Sequence, residues 1–299
     1  MPNVFKRTTT YFVNLPRRSY AANPLLCVVT GMEHSGTTLL SQLLNSHPLV
    51  KSGFECGILM ASPGSFHTLD PFWDWFCTPD KGWCLSEESR DAMNRVSSHH
   101  HAYRILRDNF GELQSVARLS EATRGATLVI DKTPAYVREL TRIMSRTNRP
   151  VVVMLRTTQD IWSSYRKRNV KVANFLTQYL RMAEGLAAAL HEYGDRILVV
   201  RYASLAGESD KTMRRVAEFV GLPPPHDLTM DRYLARFGGS IVHGEHVVNA
   251  ELESSTGFVT RTPEYIHREL VLEDDETAVW NDWHQKHAQL LAFIDSPAI

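Results

Sequence analysis

The chain contains little cysteine, four residues among 299, at positions 27, 56, 77 and 84. These cysteines form no Cys-x-x-Cys pair and no regular framework, which favours free thiols in a reducing, cytoplasmic compartment, although Cys77 and Cys84 could pair. No group of histidines, cysteines and aspartates has metal-ligand spacing, and the run His99 to His101 lies in a polar stretch that is typical of solvated side chains. We therefore expect neither a disulfide framework nor a bound metal.

Long apolar runs are also missing. No stretch is long enough to span a bilayer, and the N-terminus lacks the continuous apolar segment of a secretory signal. Residues 1–32 contain no Asp or Glu, a bias that transit peptides share, but we interpret residues 1–22 as a loose basic arm. The 33 basic and 33 acidic residues give a formal charge of zero, so we expect no nucleic-acid partner, while a local basic patch could bind an anionic nucleotide.

The most informative segment runs from Leu25 to Pro48. It opens with a short apolar run to Val29, rich in β-branched residues and typical of a buried parallel strand. Gly31 and Gly36 follow with four residues between them, and leucines at helical spacing come next. A glycine loop that leads into a helix presents backbone N–H groups without intrahelical partners, at the positive end of the helix dipole. This order of elements predicts an anion site, most typically for phosphate.

The glycine spacing is that of a P-loop, except that Thr37 stands where the lysine belongs. In nucleoside triphosphatases that lysine reaches the β- and γ-phosphates, so its absence argues against a triphosphate ligand. The loop therefore favours a terminal phosphate, with a plain strand-to-helix turn as the alternative.

The remaining chain alternates strands with helices. Further strands are predicted at 127–130, 150–155 and 197–201, helices at 86–109, 136–146, 173–193, 211–220 and 275–293, and a loop at 237–263. Ser86 and Thr157 are expected to cap helices. Continuous apolar strands separated by helices predict an α/β fold of three layers with a central parallel sheet. Ligands of such sheets bind beyond the carboxyl ends of the strands, where Gly31, Lys132 and Arg156 fall.

A resemblance to a known family starts in the glycine loop. The segment Ser35-Gly36-Thr37-Thr38, followed by Leu39-Leu40 and closed by His47-Pro48, resembles the 5′-phosphosulfate loop of sulfotransferases that use 3′-phosphoadenylyl sulfate (PAPS). Further matches extend the resemblance to about residue 222, and their spacing is most similar to the tyrosylprotein and carbohydrate sulfotransferase branch. The resemblance implies a P-loop-like fold, transfer of a sulfuryl group, and adenosine 3′,5′-bisphosphate as the nucleotide product.

For the donor, the resemblance implies contacts from the loop residues His34, Ser35, Gly36, Thr37 and Thr38. Arg156 and Ser164, in the context MLRTTQDIWSS, resemble the family's 3′-phosphate site. Arginine can contact phosphate through two N–H groups and serine supplies a short donor, whereas a surface ion pair is the alternative for Arg156. Tyr202 follows a predicted strand and matches a position that contacts the nucleotide in related enzymes.

Three residues are candidates for catalysis: Glu55, Lys132 and His34. Glu55 lies 21 residues beyond His34, a spacing similar to that of the catalytic glutamate in tyrosylprotein sulfotransferases, and it would act as general base if burial raised its pKa. An ordinary surface glutamate is the alternative. Lys132, in Asp-Lys-Thr-Pro, resembles a lysine of the same relatives and would stabilise charge on the transferring group. His34 stands where the family usually has Lys or Arg, so it would protonate the leaving phosphate or donate one hydrogen bond to it.

We expect one domain over residues 1–299, with residues 63–125 as an insertion on the acceptor side. Aromatic residues crowd the segment 70–85. They could line an acceptor pocket or anchor the insertion to the core, and they comprise Phe72, Trp73, Trp75, Phe76 and Trp83.

The sequence thus predicts a PAPS-dependent sulfotransferase that acts on a hydroxyl or amine of a small molecule or glycan, without a metal. A tyrosylprotein sulfotransferase, with a peptide acceptor, is one alternative. A nucleotide-dependent kinase is another, opposed by the missing loop lysine and by the lack of a strand-end acid for Mg²⁺ other than Asp131. A non-catalytic nucleotide-binding module is the third, and it predicts that Glu55 and Lys132 point away from the site.

Overall fold

The computed structural model describes residues 23–47, 49–76, 83, 85–116, 128–222, 228, 241–243, 246–248 and 270–294, with the backbone alone for 110–116 and for the last two strands. In chain order the elements are β1 (Leu25–Gly31), α1 (Thr37–Asn45), β2 (Val50–Lys51), α2 (Phe72–Trp75), α3 (Glu87–Met93), α4 (His99–Val116), β3 (Leu128–Lys132), α5 (Leu140–Ser145), β4 (Val151–Leu155), α6 (Thr158–Tyr165), α7 (Val172–Tyr193), β5 (Ile197–Arg201), α8 (Tyr202–Gly207), α9 (Ser209–Val220), β6 (Ile241–His243), β7 (His246–Val248), α10 (Asp274–Lys286) and α11 (Ala288–Ile294). Single 3₁₀ turns occur at Ile58–Met60, Phe66–Thr68, Pro134–Glu139, Arg166–Arg168 and Gly194–Arg196.

Strands β1 to β5 form one parallel sheet in the order β2-β3-β1-β4-β5. Their continuous apolar sequences fit this arrangement, because a parallel strand in the middle of an α/β fold is covered on both faces. The strand order reverses at β1, which lies between β3 and β4, and such a reversal opens a crevice at the carboxyl edge of the sheet. The predicted α/β class with a central parallel sheet is confirmed.

The buried apolar side chains form one layer on each face of the sheet. Leu25 and Val28 face the side that α4, α5, α6 and α7 cover, whereas Leu26 and Val29 face the side that α1, α8 and α9 cover. Each fully buried aliphatic side chain of this kind contributes about 1.5–3 kcal/mol relative to an exposed one. The two layers therefore hold the sheet rigid beneath its carboxyl edge.

Two predicted helix caps are present. The Ser86 side chain accepts a hydrogen bond from the Ser89 N–H at 3.1 Å, and the Thr157 side chain accepts one from the Asp160 N–H at 3.2 Å. The predicted strand 197–201 coincides with β5, and the strand predicted at 127–130 extends two residues further, to Lys132.

Two helices predicted as continuous are each divided, so these two predictions are wrong. In the segment 86–109, α3 ends at Met93 and α4 begins at His99, because Val96 turns into the core and the Ser98 hydroxyl accepts from the His101 N–H at 3.3 Å, which starts a new helix. In the segment 275–293, His287 separates α10 from α11, and its ring packs against Trp283 with centroids 5.0 Å apart.

Two further predictions need correction. The segment 237–263, predicted as loop, contains the antiparallel pair β6 and β7, whose β-branched residues Ile241, Val242, Val247 and Val248 flank a short connection. His99 is not solvated, because its Nε2 lies 2.9 Å from the Ala61 carbonyl oxygen and burial lowers the pKa of its imidazole.

The basic arm 1–22, Pro48, the possible pair Cys77 and Cys84, and residues 117–125 of the proposed insertion lie outside the described residues. Of the helices that the structure describes, none is both long and apolar enough to cross a membrane.

Candidate active site

Four residues singled out in the sequence lie at the carboxyl edge of the sheet. Gly31 ends β1, Lys132 ends β3, Arg156 follows β4 and Tyr202 follows β5. Since these strands are parallel and adjacent, their ends are neighbours in space. The site is built on the ends of β3, β4 and β5 and on the loop that leaves β1.

The loop after β1 turns tightly into α1. The Ser35 N–H donates to the Met32 carbonyl at 3.0 Å, and His34 adopts a left-handed backbone with φ 66°. Helix α1 has no side-chain cap and no acidic residue in its first turn, so its leading N–H groups keep their positive potential. The Ser35 hydroxyl is buried and, within the described residues, has no hydrogen-bond partner. A buried hydroxyl of this kind beside a helix N-terminus suits an anionic oxygen.

Position 36 requires glycine for two reasons, its backbone conformation and the nearby Tyr202 ring. Its φ is 101°, which disfavours any residue with a Cβ, and a Cβ placed there would lie 2.5 Å from Cδ2 of Tyr202. The Tyr202 ring therefore rests directly on the loop. This contact ties the end of β5 to the N-terminus of α1.

Arg156 reaches the same loop. Its guanidinium lies 4.4 Å from the centroid of the Tyr202 ring, and its Nη1 donates to the His34 carbonyl at 3.3 Å. Its Nε is 3.7 Å from Oδ2 of Asp160, and the two side chains are 10% and 0% exposed. A cation held against a buried carboxylate and an aromatic face is preoriented, so the alternative of an ordinary surface ion pair does not describe Arg156.

Ser164 lies about one turn along α6 from Asp160 and is partly exposed. The structure thus brings Arg156, Tyr202 and the loop together and places Ser164 on the helix that Arg156 precedes.

Glu55 and Lys132 form a partly desolvated pair. Glu55 Oε1 is 3.4 Å from Lys132 Nζ, and the side chains are 18% and 2% exposed. Burial raises the pKa of Glu55, an effect that the nearby ammonium of Lys132 opposes and that Glu33 reinforces. Burial likewise lowers the pKa of Lys132, while Glu55 acts in the opposite direction. Glu55 is therefore not an ordinary surface glutamate, and its proton affinity exceeds that of an exposed carboxylate.

Phe54 adds an aromatic face to this pair. Lys132 Nζ lies 4.3 Å from its ring centroid, and Trp75 packs edge-on against the same ring with centroids 5.0 Å apart. Both rings remain partly exposed. By contrast, Phe72, Phe76 and Trp83 are buried in the core. These three rings anchor the described part of the aromatic segment, and Trp75 lies beside the site.

A buried network lies beneath Lys132. Asp131 is fully buried and accepts hydrogen bonds from the hydroxyls of Tyr103 at 2.5 Å, Tyr136 at 2.7 Å and Thr133 at 2.8 Å. Burial raises the pKa of Asp131, whereas the donated hydrogen bonds lower it, those of Tyr103 and Tyr136 most strongly. The Cys56 thiol also contacts this network, and burial raises its pKa well above the usual range, so it is not a reactive thiolate.

Charged side chains lie around Glu33, the residue before His34. The Tyr165 hydroxyl donates to Glu33 Oε2 at 3.1 Å, and the same ring packs at right angles to His34 with centroids 5.4 Å apart. Arg138 and Arg168 lie 3.7 and 3.9 Å from the Glu33 oxygens. Tyr165 thereby links Glu33 to His34.

The sequence did not reveal several residues of this edge. Glu33, Phe54, Tyr103 and Tyr165 gave no signal, because their partners are far away along the chain. The Asp-Lys-Thr-Pro segment was the one available sign of the buried network.

The described residues contain no group of three or more His, Cys, Asp and Glu side chains that could hold a metal ion. The two described cysteines, Cys27 and Cys56, are buried free thiols.

The fold and the edge together define an α/β protein with a central parallel sheet, a glycine turn after the first strand and the cation Arg156 directly after β4. A family model described as the sulfotransferase family matches residues 27–227. The chain therefore belongs to the sulfotransferase family.

Solved structures with similar folds carry the same activity in their names. The sulfotransferase domain from the curacin biosynthetic pathway aligns over 87% of this chain and 97% of its own, at 18% identity and a TM-score of 0.54. The sulfotransferase domain of the Synechococcus PCC 7002 olefin synthase covers 86% and 93% at 16% identity and a TM-score of 0.47, and a sulfotransferase from Alicyclobacillus acidocaldarius covers 90% and 95% at 14% identity and a TM-score of 0.45. No curated protein matches the chain. At these identities the likeness concerns the fold alone.

Proposed function

We propose that the protein transfers a sulfuryl group from PAPS to a hydroxyl or amine of a small-molecule or glycan acceptor. The observation that carries this proposal is the packing of Arg156 and Tyr202 against the glycine loop. Two anion-binding features a few ångströms apart at one sheet edge suit a nucleotide with two separate phosphate groups. The family membership of the chain supplies the reaction class.

In this proposal the loop residues His34 to Thr38 hold the 5′-phosphosulfate of the donor through backbone N–H groups and the Ser35 and Thr38 hydroxyls. Arg156 and Ser164 hold the 3′-phosphate, with Asp160 fixing the guanidinium from behind. Tyr202 covers the loop and stacks on Arg156, so it shapes the space between the two phosphates.

Glu55 is the general base. It takes the proton of the acceptor hydroxyl while that oxygen forms a bond to sulfur and the bond from sulfur to the bridging phosphate oxygen breaks. The raised pKa of its buried carboxyl favours this proton transfer. Lys132, 3.4 Å away, stabilises negative charge that develops on the transferring group.

His34 acts on the leaving phosphate of the donor. The donor carries the activated sulfuryl group, and the product nucleotide is adenosine 3′,5′-bisphosphate. His34 occupies the loop position next to the bridging oxygen in the family pattern, where an imidazolium would donate its proton and a neutral ring one hydrogen bond. No metal takes part in this proposal.

The alternatives fit the site less well. A kinase needs an acid for Mg²⁺ at a strand end, but Asp131 is fully buried and accepts three hydroxyl hydrogen bonds. A non-catalytic module predicts that Glu55 and Lys132 point away from the site, whereas Lys132 ends β3 next to β1 and Glu55 lies 3.4 Å from its Nζ. A peptide tyrosine is an acceptor that the same chemistry would serve, so tyrosylprotein sulfation stays a second candidate. The buried free thiols of Cys27 and Cys56 are compatible with the cytoplasmic location that the cysteine pattern predicts.

A transfer assay tests the proposal. The protein is incubated with PAPS labelled in the sulfate and with separate sets of phenols, aliphatic alcohols, amines, sugars and tyrosine peptides. We expect label in one acceptor class for the wild type and a loss of at least about 100-fold in rate for Glu55→Gln. Transfer of label from γ-labelled ATP with Mg²⁺ instead would overturn the proposal.

A further inference from the structure

The segment that carries Glu55 has little structure of its own. Between β2 and the 3₁₀ turn at Ile58–Met60 the chain forms neither helix nor strand. The position of the Glu55 carboxylate therefore depends on contacts from other elements. Two backbone amides make such contacts: the Gly57 N–H donates to the Thr133 hydroxyl at 3.1 Å, and the Leu59 N–H donates to the Tyr136 hydroxyl at 2.9 Å.

Both of these hydroxyls donate in turn to Asp131. Thr133 donates to Oδ1 at 2.8 Å and Tyr136 donates to Oδ2 at 2.7 Å. A hydroxyl has one proton, so once that proton points at a carboxylate its lone pairs are left to accept from the backbone amides. An ionised carboxylate can only accept, and it thus fixes the direction of both hydrogen-bond chains.

Gly57 closes the segment on its other side. Its φ is 64°, and a Cβ there would lie 2.7 Å from Cδ2 of the buried Phe72 ring. The segment is therefore held between the Phe72 ring on one side and the Thr133 and Tyr136 hydroxyls on the other. Asp131 also directly precedes Lys132 in β3, so one strand end controls both members of the Glu55 and Lys132 pair.

We propose that Asp131, acting through Thr133 and Tyr136, is a positioning residue that sets the Glu55 carboxylate against Lys132 for proton transfer. This inference rests on the proposed function, because it assigns Glu55 the role of base. It goes beyond the proposed function because it makes three further residues, Asp131, Thr133 and Tyr136, responsible for the geometry of the reaction. The proposed function assigns none of them a contact with acceptor or donor.

Tyr103 provides an internal control. Its hydroxyl donates to the same Asp131 Oδ2 and the residue is as fully buried as Tyr136, but among the described residues that hydroxyl makes no hydrogen bond to the Glu55 segment. Tyr103→Phe and Tyr136→Phe therefore each delete a tyrosine hydroxyl that donates to Asp131 Oδ2. Only Tyr136→Phe also leaves the Leu59 N–H without its partner.

The test compares these two variants by steady-state kinetics and by hydrogen exchange. We expect Tyr136→Phe to lower kcat at least tenfold with an unchanged KM for PAPS, and Tyr103→Phe to lower kcat less than about threefold at a similar loss of Tm. Thr133→Val should behave like Tyr136→Phe, and Thr133→Ser, which keeps the hydroxyl, should restore most of kcat. Equal losses of kcat in Tyr103→Phe and Tyr136→Phe, or no loss in either, would overturn the proposal.

Hydrogen exchange of a peptide covering residues 54–60 tests the positioning role without an activity measurement. Faster exchange in Tyr136→Phe and Thr133→Val, but not in Tyr103→Phe, is expected. If the wild type transfers no sulfuryl group, the proposed function fails, and this exchange pattern still decides whether Asp131 organises the segment. Identical exchange in all variants would contradict it.

Discussion

At the scale of single residues, the site rests on charged groups taken partly out of water. Glu55 and Lys132 are 18% and 2% exposed, and Arg156 is 10% exposed against a fully buried Asp160. Such groups interact more strongly than surface ions, since less solvent screens them, and they are costly to leave unpaired. A change at one of them should therefore alter chemistry or binding selectively.

The first prediction concerns the base. Glu55→Gln keeps the shape of the side chain but removes the proton acceptor, so we expect kcat to fall by about 10²–10⁴ while the affinity for adenosine 3′,5′-bisphosphate stays within about twofold. Single-turnover kinetics and calorimetric titration measure the two quantities. Glu139→Gln, at an exposed residue whose carboxylate pairs with Arg142, is the matched control and should retain full activity. A parallel loss of nucleotide binding in Glu55→Gln would show that Glu55 is a donor-binding group instead.

The second prediction concerns pH. Glu55 must be ionised to accept a proton, and burial raises its pKa, so kcat/KM should fall as pH drops through a value above the ordinary glutamate range. His34 is a second ionisable side chain of the proposed site, and the His34→Gln variant separates its contribution from that of Glu55. The acid limb should persist in that variant. If the limb disappears with His34, the titrating group is the histidine.

The third prediction concerns the donor. Arg156→Lys keeps the charge but loses the planar guanidinium that lies over Tyr202, so we expect affinity for adenosine 3′,5′-bisphosphate to weaken at least about tenfold. Arg107→Lys is the control, because Arg107 pairs with the exposed Asp108 away from the sheet edge. Unchanged binding in Arg156→Lys would remove Arg156 from the 3′-phosphate site.

At the scale of elements, most residues proposed for binding and catalysis lie at or near junctions between strands and helices. The turn from β1 into α1 depends on Gly36, whose φ of 101° and contact with Tyr202 leave no room for a side chain. We expect Gly36→Ala to abolish measurable nucleotide binding and to lower the Tm by several degrees, because left-handed backbone costs about 1–2 kcal/mol in a residue with a Cβ.

Thermal unfolding and calorimetry measure both effects of Gly36→Ala. Gly207→Ala is the control, since a Cβ at Gly207 would meet nothing within 4 Å. Nucleotide binding that survives in Gly36→Ala would mean that the loop does not hold the 5′-phosphate.

The elements also show what local sequence can and cannot predict. The strands at Val151–Leu155 and Ile197–Arg201 followed from their short apolar runs, and the caps at Ser86 and Thr157 followed from side-chain chemistry. The divisions at Val96 and His287 did not follow from local signals. Val96 is buried in the core, which is a tertiary effect, and the His287 ring packs against Trp283 one turn earlier in α10.

At the scale of the whole molecule, parallel topology explains why part of the site was predictable. Gly31, Lys132 and Arg156 each follow an apolar run, and parallel strands must end at one edge, so sequence order alone grouped them. The positioning of Glu55 was not predictable, since Thr133 and Tyr136 contact the Gly57 and Leu59 amides across 76 and 77 residues of chain. Contacts between separate elements leave no periodic trace in the sequence.

In the proposed function, the two phosphate groups of one adenosine span from the loop before α1 to Arg156. Isothermal titration calorimetry with adenosine 3′,5′-bisphosphate, adenosine 5′-monophosphate and ATP with Mg²⁺ measures this most directly. Our account predicts tight binding of the bisphosphate, at least tenfold weaker binding of the monophosphate, and no comparable binding of ATP with Mg²⁺. Equal affinity for the monophosphate, or preference for ATP with Mg²⁺, would contradict it.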